Sequence, residues 1–329
     1  MKRICAFPAL AMAIGILLAC GGKQSPDDET SSKSTETAKD RGTIGLSVLT
    51  LTNPFFKVIA DTMTEEAARH GYEVAVVSGE FDADVQQNQV KDFIVQRVAA
   101  IVLTPCDSAA VAPAIKEANA AGIPVFTADI ACMTTGVDVV CHVATDNYQG
   151  GRLAAQAMIE ALGGQGKVAI IDHPEVESVI QRTRGFRDEL AEANRKPDVN
   201  IEIVGAWPGG AVPDRSFATT QDVLQMHADL DGLFCINDPT AFGAVRALEA
   251  AGRLDRVKVI AFDGQPEGKA MIRDGKIYAD PIQFPRKIAA TTVDAIVRYF
   301  RGEEVPKEIL IPTALYRQAD AENDPELER

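Results

Sequence analysis

From residue 43 onward, short apolar runs alternate with longer segments whose apolar residues recur at helical spacing. The runs are nearly continuous in Val, Ile, Leu and Ala, which is typical of strands that a parallel sheet buries on both faces. They predict ten strands, at residues 43–50, 72–79, 99–105, 123–129, 139–146, 167–172, 200–207, 232–238, 257–264 and 278–284. Alternating strands and helices indicate an α/β fold with doubly wound sheets. Ten strands are many for one such sheet, so we predict two similar lobes with a break near residue 145.

The junction between the first strand and the first helix reads LTNPFFKV, residues 51–58. Asn53 suits a helix N-cap and Pro54 suits the first helical position. Phe55 and Phe56 therefore fall in the first helical turn, at the carboxyl end of a strand, which is the edge where open α/β sheets bind ligands. The two rings are either ordinary core residues or flat apolar faces for a ligand.

Polar side chains recur at the carboxyl ends of the predicted strands. They are Asn53, Asp129, Asn237, Asp263 and Gln283. Arg182 adds a cation in a segment that enters a helix. Carboxylates and amides can each bind two adjacent hydroxyls, and Arg supplies a planar fork of donors. A single Asp at such a position could be a helix cap. Five residues from different strands instead predict a binding site for a sugar, and we expect Phe55 and Phe56 to stack on that sugar.

The first twenty residues, MKRICAFPALAMAIGILLAC, combine a basic start with an apolar stretch too short for a dependable membrane span. Their ending, LLAC, resembles a bacterial lipoprotein signal, which implies cleavage before Cys20 and lipidation of its sulfur. Residues 21–42 contain no Val, Leu, Ile, Met or aromatic residue and are rich in Ser, Thr, Lys and Asp, so they predict a flexible tether. We therefore expect a signal peptide at 1–19, a lipidated tether at 20–42 and a location in the periplasm, anchored to the cell envelope.

The net charge and the cysteines bear on nucleic-acid binding, disulfide formation and metal binding. The net charge of −14 makes a poor surface for nucleic acid, whose binding relies on cations. In the oxidising compartment of an exported protein, Cys132 and Cys141, which flank a short loop, form a possible disulfide. Cys235 lies within a predicted strand and is most simply a core residue. No Cys or His spacing indicates zinc, so we expect neither a metal nor a cofactor.

The sequence motifs of common enzymes are absent from the chain. There is no G-x-S-x-G, no H-E-x-x-H and no phosphate-binding G-x-x-x-x-G-K-[ST]. Of the four histidines, only His173 ends a predicted strand, where it is either a ligand contact or an ordinary loop residue. With no nucleophile–base pair visible, we predict a binding protein rather than an enzyme.

The chain resembles the type I periplasmic sugar-binding proteins, closest to their ribose-binding members, over about residues 43–318. The matching stretches are TNPFF, IPVFTAD, ATDNYQGG, RTRGF, IND, AFDG and DGKIYADPIQFP, in order and at matching spacing. The resemblance implies two Rossmann-like lobes with parallel sheets, joined by a three-strand hinge with crossovers near 145, 283 and 312. It divides the chain into an N-terminal lobe at 43–145 plus 284–311, a C-terminal lobe at 146–283 plus 312–322, and a tail at 323–329.

The resemblance also carries the family's ligand contacts onto eight positions of this chain. They are Asn53, Phe55, Phe56, Asp129, Arg182, Asn237, Asp263 and Gln283. Two positions depart from the ribose-binding pattern: Ile130 stands where that pattern has Arg, and a second-lobe Phe aligns near Ala211. Trp207, at the preceding strand end, could replace that Phe. These departures indicate a ligand other than ribose, with a hexose such as fructose as one candidate.

The implied function is that of a lipid-anchored, monomeric receptor that binds a pentose or hexose between its lobes and delivers it to an ABC transporter permease. Other readings stay open: a receptor for a cyclitol or a furanosyl signalling molecule, a chemosensory sugar receptor, or a catalytic protein on the same scaffold. The sensor core of a transcription repressor shares this fold. A repressor, however, needs an N-terminal helix-turn-helix and a cytoplasmic location, whereas this chain begins with an export signal.

Overall fold

The computed structural model describes residues 41–328. The predicted signal peptide, the predicted lipidation site Cys20 and the predicted tether up to residue 40 lie outside the described residues. Within the described range, no helix combines the length and apolar character needed to cross a membrane.

The strands and helices alternate along the described chain. The strands are β1 (Thr43–Val48), β2 (Glu73–Ser78), β3 (Ala100–Leu103), β4 (Val125–Ala128), β5 (His142–Thr145), β6 (Gln165–Asp172), β7 (Asn200–Pro208), β8 (Gly232–Cys235), β9 (Lys258–Ile260), β10 (Ala279–Ile282), β11 (Glu308–Ile311) and β12 (Ala314–Arg317). The helices are α1 (Pro54–Arg69), α2 (Ala83–Gln96), α3 (Ala112–Ala120), α4 (Asn147–Leu162), α5 (Glu177–Ala193), α6 (Pro213–Met226), α7 (Asp238–Ala250), α8 (Pro266–Arg273), α9 (Pro285–Phe300) and α10 (Gln318–Ala321).

The strands form two six-stranded sheets, which confirms the predicted α/β fold with two lobes. The first sheet has the order β11-β5-β4-β3-β1-β2 and the second β12-β10-β9-β8-β6-β7. All paired strands are parallel except β10 and β12, which are antiparallel, so the second sheet is mixed. In each sheet the strand order reverses, between β1 and β3 in the first and between β6 and β8 in the second. Such reversals open a crevice beyond the carboxyl ends of the strands, where α/β sheets bind ligands.

The chain passes between the two sheets three times, after Thr145, after Ile282 and after Ile311. Strands β11 and β12 were not among the ten predicted strands, because each lies at a sheet edge and is largely exposed, so neither has a continuous apolar run. The segment predicted as a tail packs on the second lobe, where Lys269 Nζ lies 2.9 Å from carboxylate oxygens of both Asp324 and Glu326.

Helices α4 and α5 pack unusually close together, and two glycines permit this. A Cβ at Gly151 would collide with the carbonyl oxygen of Arg182, and a Cβ at Gly185 would collide with that of Tyr148. Behind them, Phe186 on α5 stacks on Phe234 of β8 with ring centroids 4.4 Å apart. This packing fixes the position of α5, which carries Arg182 toward the space between the lobes.

The possible disulfide between Cys132 and Cys141 is not formed, and both residues are free thiols. Cys141 is fully buried with one apolar cluster of the first lobe, whereas Cys132 packs against the separate cluster that contains Ile115 and Val125. Because the two side chains join different clusters, they do not approach each other. Cys235 is fully buried, as predicted for a core residue.

Candidate ligand-binding site

The structure brings together, around one cleft between the two lobes, all eight positions predicted to bind the ligand. They are Asn53, Phe55, Phe56, Asp129, Arg182, Asn237, Asp263 and Gln283. Ile130 and Ala211 line the same cleft. The cavity left between these side chains is only about 30 Å³, well below the range for small-ligand pockets.

The first lobe contributes an aromatic corner, which is built by the start of α1. The side chain of Asn53 accepts a hydrogen bond from the Phe55 backbone N–H at 2.9 Å, and Pro54 occupies the first helical turn, as the sequence predicts. The rings of Phe55 and Phe56 meet edge to face with centroids 5.3 Å apart. Both residues are buried yet border the cleft, so they serve the core and also present apolar surface to the cleft.

The second lobe contributes a buried charged network centred on Arg182. Its Nη1 donates to Asp263 Oδ1 at 3.1 Å and to the Ile236 carbonyl oxygen at 2.7 Å. Its Nε donates to Asn147 Oδ1 at 2.8 Å. The guanidinium carbon lies 3.9 Å from the centroid of the Phe262 ring, a cation–π arrangement. The guanidinium is therefore held in one orientation before any ligand arrives.

Gln283 links this network to the crossovers between the lobes. Its Nε2 donates to Asp263 Oδ1 at 2.7 Å, and its Oε1 accepts from Thr145 Oγ1 at 2.7 Å. Thr145 and Gln283 flank two of the three passages of the chain between the sheets. The binding network and the hinge therefore share hydrogen bonds.

Burying this ion pair costs free energy. The side chains of Arg182 and Asp263 are each only 4% exposed. Burial raises the pKa of Asp263, and the nearby Arg182 cation opposes that shift. A buried ion pair contributes little to stability against an apolar alternative, and groups with perturbed pKa values concentrate at functional sites. We therefore attribute the buried ion pair to ligand binding rather than to stability of the fold.

Asp129 presents a free hydrogen-bond acceptor at the cleft. It follows β4 with a φ of 65° and is 3% exposed, and its Oδ1 has no hydrogen-bond partner. Burial raises its pKa to about 7, although Arg182 opposes the shift. Next to it, Ile130 is 1% exposed and adds apolar surface. An unpaired buried carboxylate is costly, so Asp129 is poised for a donor from outside the protein.

Two residues that bridge the lobes were missed by the sequence analysis. Gln265 Nε2 donates to Asn53 Oδ1 of the other lobe at 3.1 Å and to Asp263 Oδ2 at 3.3 Å. Elsewhere between the lobes, the Ser108 backbone N–H donates to the Glu175 carbonyl at 3.1 Å, and Ser108 Oγ accepts from the Glu177 N–H at 2.9 Å. These contacts hold the two lobes together over the cleft.

Behind the cleft, two fully buried carboxyl groups support the loop that carries Gln265. Asp238 Oδ2 accepts from the Gln265 backbone N–H at 2.6 Å, and Asp280 Oδ2 accepts from the Gly264 N–H at 3.0 Å. Burial, reinforced by the neighbouring carboxylates, raises the pKa of Asp238 well above its ordinary range and that of Asp280 to about 7. Both side chains therefore resist ionisation in the folded protein.

The prediction that Trp207 could reach the cleft is wrong. Trp207 lies on β7 and packs against the apolar cluster of the second lobe, with its ring centroid 5.4 Å from that of His227. The indole lies over Gly205, where a Cβ would meet the ring at 2.5 Å, and it borders a separate surface recess near Met226. Ala211, near which the resemblance places a Phe, lines the cleft and presents only a methyl group there.

The cleft offers hydrogen-bond donors and acceptors but no arrangement typical of a metal site. Among residues 41–328, no group of three or more His, Cys, Asp or Glu side chains is placed to hold a metal ion. The site combines a fixed cation, a free carboxylate oxygen and aromatic surface, which can orient a small polar molecule.

Two α/β lobes that enclose such a cleft define a periplasmic binding protein of type I. Residues 44–304 match the family described as the periplasmic binding protein domain, and the chain belongs to this family. The ribose import binding protein RbsB of Bacillus subtilis is 33% identical over 281 residues, covering 85% of this chain and 88% of that protein. The D-apiose import binding protein of Paraburkholderia graminis is 32% identical, covering 87% and 91%. These relatives are binding proteins and not enzymes, in agreement with the predicted class.

Solved structures show the same relationship. A solute-binding protein from Actinobacillus succinogenes, solved with bound D-allose, has a TM-score of 0.78 at 28% identity and covers 86% of this chain and all of its own length. The myo-inositol binding protein of Caulobacter, solved with myo-inositol, has a TM-score of 0.79 at 27% identity and covers 87% and 96%. The resemblance inferred from the sequence is confirmed at the level of fold and family.

Proposed function

We propose that this protein captures a monosaccharide in the cleft between its lobes and delivers it to an ABC transporter permease outside the cytoplasm, without catalysis or cofactor. The observation that carries the proposal is the pre-oriented Arg182–Asp263–Gln283 network facing the free acceptor of Asp129 beside Phe55 and Phe56. The import binding proteins among its relatives, named for ribose and D-apiose, support this assignment.

The chemistry of the cleft matches a sugar ring on both its rim and its faces. Arg182 donates in the ring plane, carboxylates and amides accept from hydroxyls or donate to them, and the phenylalanines cover C–H surfaces. Ile130 and Ala211 remove a cation and an aromatic ring that the ribose-binding pattern has. A ribose hydroxyl that relied on that cation would be buried here without a partner, which disfavours it. We infer a ligand other than ribose, with hexoses first and cyclitols second.

The decisive experiment is a thermal-shift screen over pentoses, hexoses and cyclitols, followed by calorimetry on the best ligand. A ligand that binds only the folded state raises the melting temperature by mass action. Asp263→Ala should weaken binding by about 30-fold to 1,000-fold, since hydrogen bonds to a charged group are lost and buried partners are left unpaired. Asp263→Asn is the milder variant, and Asp222→Ala, on the exposed face of α6, is the control.

Two outcomes would count against this proposal. If no sugar or cyclitol in the panel changes the melting temperature, sugar binding is wrong. If a sugar binds and both Asp263 variants match the wild type, the site assignment is wrong although the function stands.

We also propose that Cys20 is the mature N-terminus and carries the lipid that anchors the protein. The LLAC ending of the leader supports this. Cys20→Ser should shift the protein from the membrane fraction to the soluble fraction or leave the leader uncleaved. Normal cleavage with full membrane retention of that variant would refute the lipid anchor.

A further inference from the structure

The described chain begins at the end of the first lobe that lies opposite the ligand cleft. Arg41 precedes β1, whose carboxyl end leads to the cleft. The Arg41 backbone N–H donates to the Gly71 carbonyl oxygen at 2.9 Å, and the Arg41 guanidinium carbon lies 6.0 Å from the centroid of the Tyr72 ring. The chain that leads from the predicted lipidation site, Cys20, therefore joins the domain beside Tyr72.

Arg41, Tyr72, Tyr299 and Phe300 lie together at this end of the lobe, and we call them the basal patch. Tyr72 precedes β2, and Tyr299 and Phe300 are the last two residues of α9. The ring centroids of Tyr72 and Phe300 are 6.0 Å apart, and the rings of Tyr299 and Phe300 meet edge to face at 5.4 Å. Side-chain contacts therefore run from the point where the chain enters the domain to the last turn of α9.

Two rings of the basal patch remain open to solvent. Tyr299 is 41% exposed and Phe300 is 42% exposed, although their aromatic neighbours Phe126 and Tyr72 are buried. Within residues 41–328, the Tyr299 hydroxyl has no hydrogen-bond partner. An apolar ring with a free polar tip suits the boundary between lipid and water, where Tyr is enriched.

The formal charges around the basal patch cancel, although the whole chain is acidic. Arg41 and the segments 66–73 and 298–304 contain four Arg and four Glu residues, whereas the whole chain has a net charge of −14. A membrane surface that carries anionic lipids is negatively charged. This neutral face therefore meets less repulsion at such a surface than the average surface of the protein does.

The size of the basal patch favours a lipid surface over a second protein. The exposed parts of the two rings amount to at most roughly 200 Å², whereas a specific protein interface buries about 1,200 Å² or more in total. Binding to a bilayer scales with the apolar area that enters it and needs no complementary partner surface. A bilayer next to the entering chain is therefore the occupant that fits.

We propose that the basal patch rests on the bilayer that holds the lipid of Cys20, with the rings of Tyr299 and Phe300 inserted among the lipid headgroups. The inference rests on the lipid anchor proposed above, which brings the patch to that bilayer. It adds an orientation to the anchor. Since the cleft lies at the opposite ends of the strands of the first lobe, the contact holds the cleft away from the anchoring bilayer.

Fluorescence of the mature, lipidated protein in vesicles tests this contact. The vesicles consist of phosphatidylethanolamine and phosphatidylglycerol with brominated acyl chains, which quench a nearby indole. Trp207 is the single tryptophan of the chain, so Phe300→Trp combined with Trp207→Phe leaves one indole, in the basal patch. Its emission should shift to the blue and lose most of its intensity. The emission of the wild-type protein, whose Trp207 lies in the second lobe, should lose none.

A third substitution separates insertion of the patch from mere proximity to the vesicle. Tyr299→Glu, added to the double variant, should restore the emission, because an ionised carboxylate resists transfer into an apolar environment. Met133→Glu is the matched control. Met133 is 54% exposed and its backbone N–H donates to the Ser108 carbonyl oxygen, at the cleft end of the same lobe. The same charge placed there should leave the quenching unchanged.

The mass of the mature protein separates the two proposals. If the protein carries acyl chains and the patch indole is quenched no more than Trp207, the inference is overturned and the lipid anchor stands. A mature protein without acyl chains would refute the anchor and this inference together.

A measurement on the unaltered protein does not depend on how the variants fold. A phospholipid with a photoreactive headgroup should label residues 299–306 and leave residues 131–136 unlabelled. Labelling of neither segment, or of both alike, would refute the contact. Cross-links between the basal patches of two copies, in place of lipid labelling, would assign the patch to a dimer and overturn the inference.

Discussion

Replacing Asp129 by Asn should stabilise the ligand-free protein above pH 7 and weaken ligand binding. In the folded protein burial raises the pKa of this carboxyl from an ordinary 3.8 to about 7. The folded state therefore holds a proton that the unfolded chain has already released between these values. Stability from this group is complete below about pH 4 and is lost as pH rises through 7.

The size of the effect follows from the shift. At about 1.4 kcal/mol per pKa unit, three units correspond to at most about 4 kcal/mol lost between pH 4 and pH 7. Asn cannot ionise, and it tolerates the positive φ of this position better than most residues. Its buried amide still lacks a partner, at about 1–3 kcal/mol. We expect a net gain of about 1–3 kcal/mol at pH 8 that turns into a net loss of about 1–3 kcal/mol toward pH 4.

Urea denaturation of the ligand-free wild type and Asp129→Asn at pH 4.5, 6 and 8 measures this difference, with Asp222→Asn as an exposed control. Calorimetry measures the effect on ligand affinity. The variant should bind its sugar about tenfold more weakly, since a hydrogen bond to a charged group becomes one to a neutral group. Hydroxyl donors favour the ionised form, so wild type should release protons on binding near pH 7. A variant less stable than wild type at pH 8, or the same pH slope in both proteins, would refute this reasoning.

Further predictions concern the buried Asp280, Trp207 and closure of the two lobes. Asp280→Asn should flatten the fall in stability between about pH 4 and pH 7, because the raised pKa of Asp280 makes the folded state hold a proton there; a urea series that shows the wild-type slope in the variant would contradict the raised pKa. Trp207→Phe should leave the affinity for the best sugar unchanged, and the wild-type tryptophan emission should not respond to that sugar, because the indole lies outside the cleft; a saturable emission change would place it nearer the ligand. Small-angle scattering should show a smaller radius of gyration with saturating sugar, because a ligand that contacts both lobes favours the closed state; identical profiles with and without sugar would argue against hinge closure.

The sequence alone determined the features that depend on neighbours along the chain. Asn53 and Pro54 specify the start of α1 because capping and a preset φ are local properties, so the location of Phe55 and Phe56 was predictable. The apolar runs specified the strands of two parallel sheets. Residues at the ends of neighbouring parallel strands share one edge of the sheet, so the sequence predicted that Asn237 and Asp263 would lie close together in the second lobe.

Only the tertiary structure decided where side chains point and which of them meet across the lobes. Trp207 lies near a strand end like the site residues, yet its indole packs against the apolar cluster of the second lobe, because Gly205 leaves room for the ring there. Cys132 and Cys141 are close in sequence but join different apolar clusters. Gln265 has no signal in the sequence that separates it from loop residues, because its partner Asn53 lies in the other lobe and is reached only when both lobes are folded. Such contacts depend on long-range packing, which no local pattern encodes.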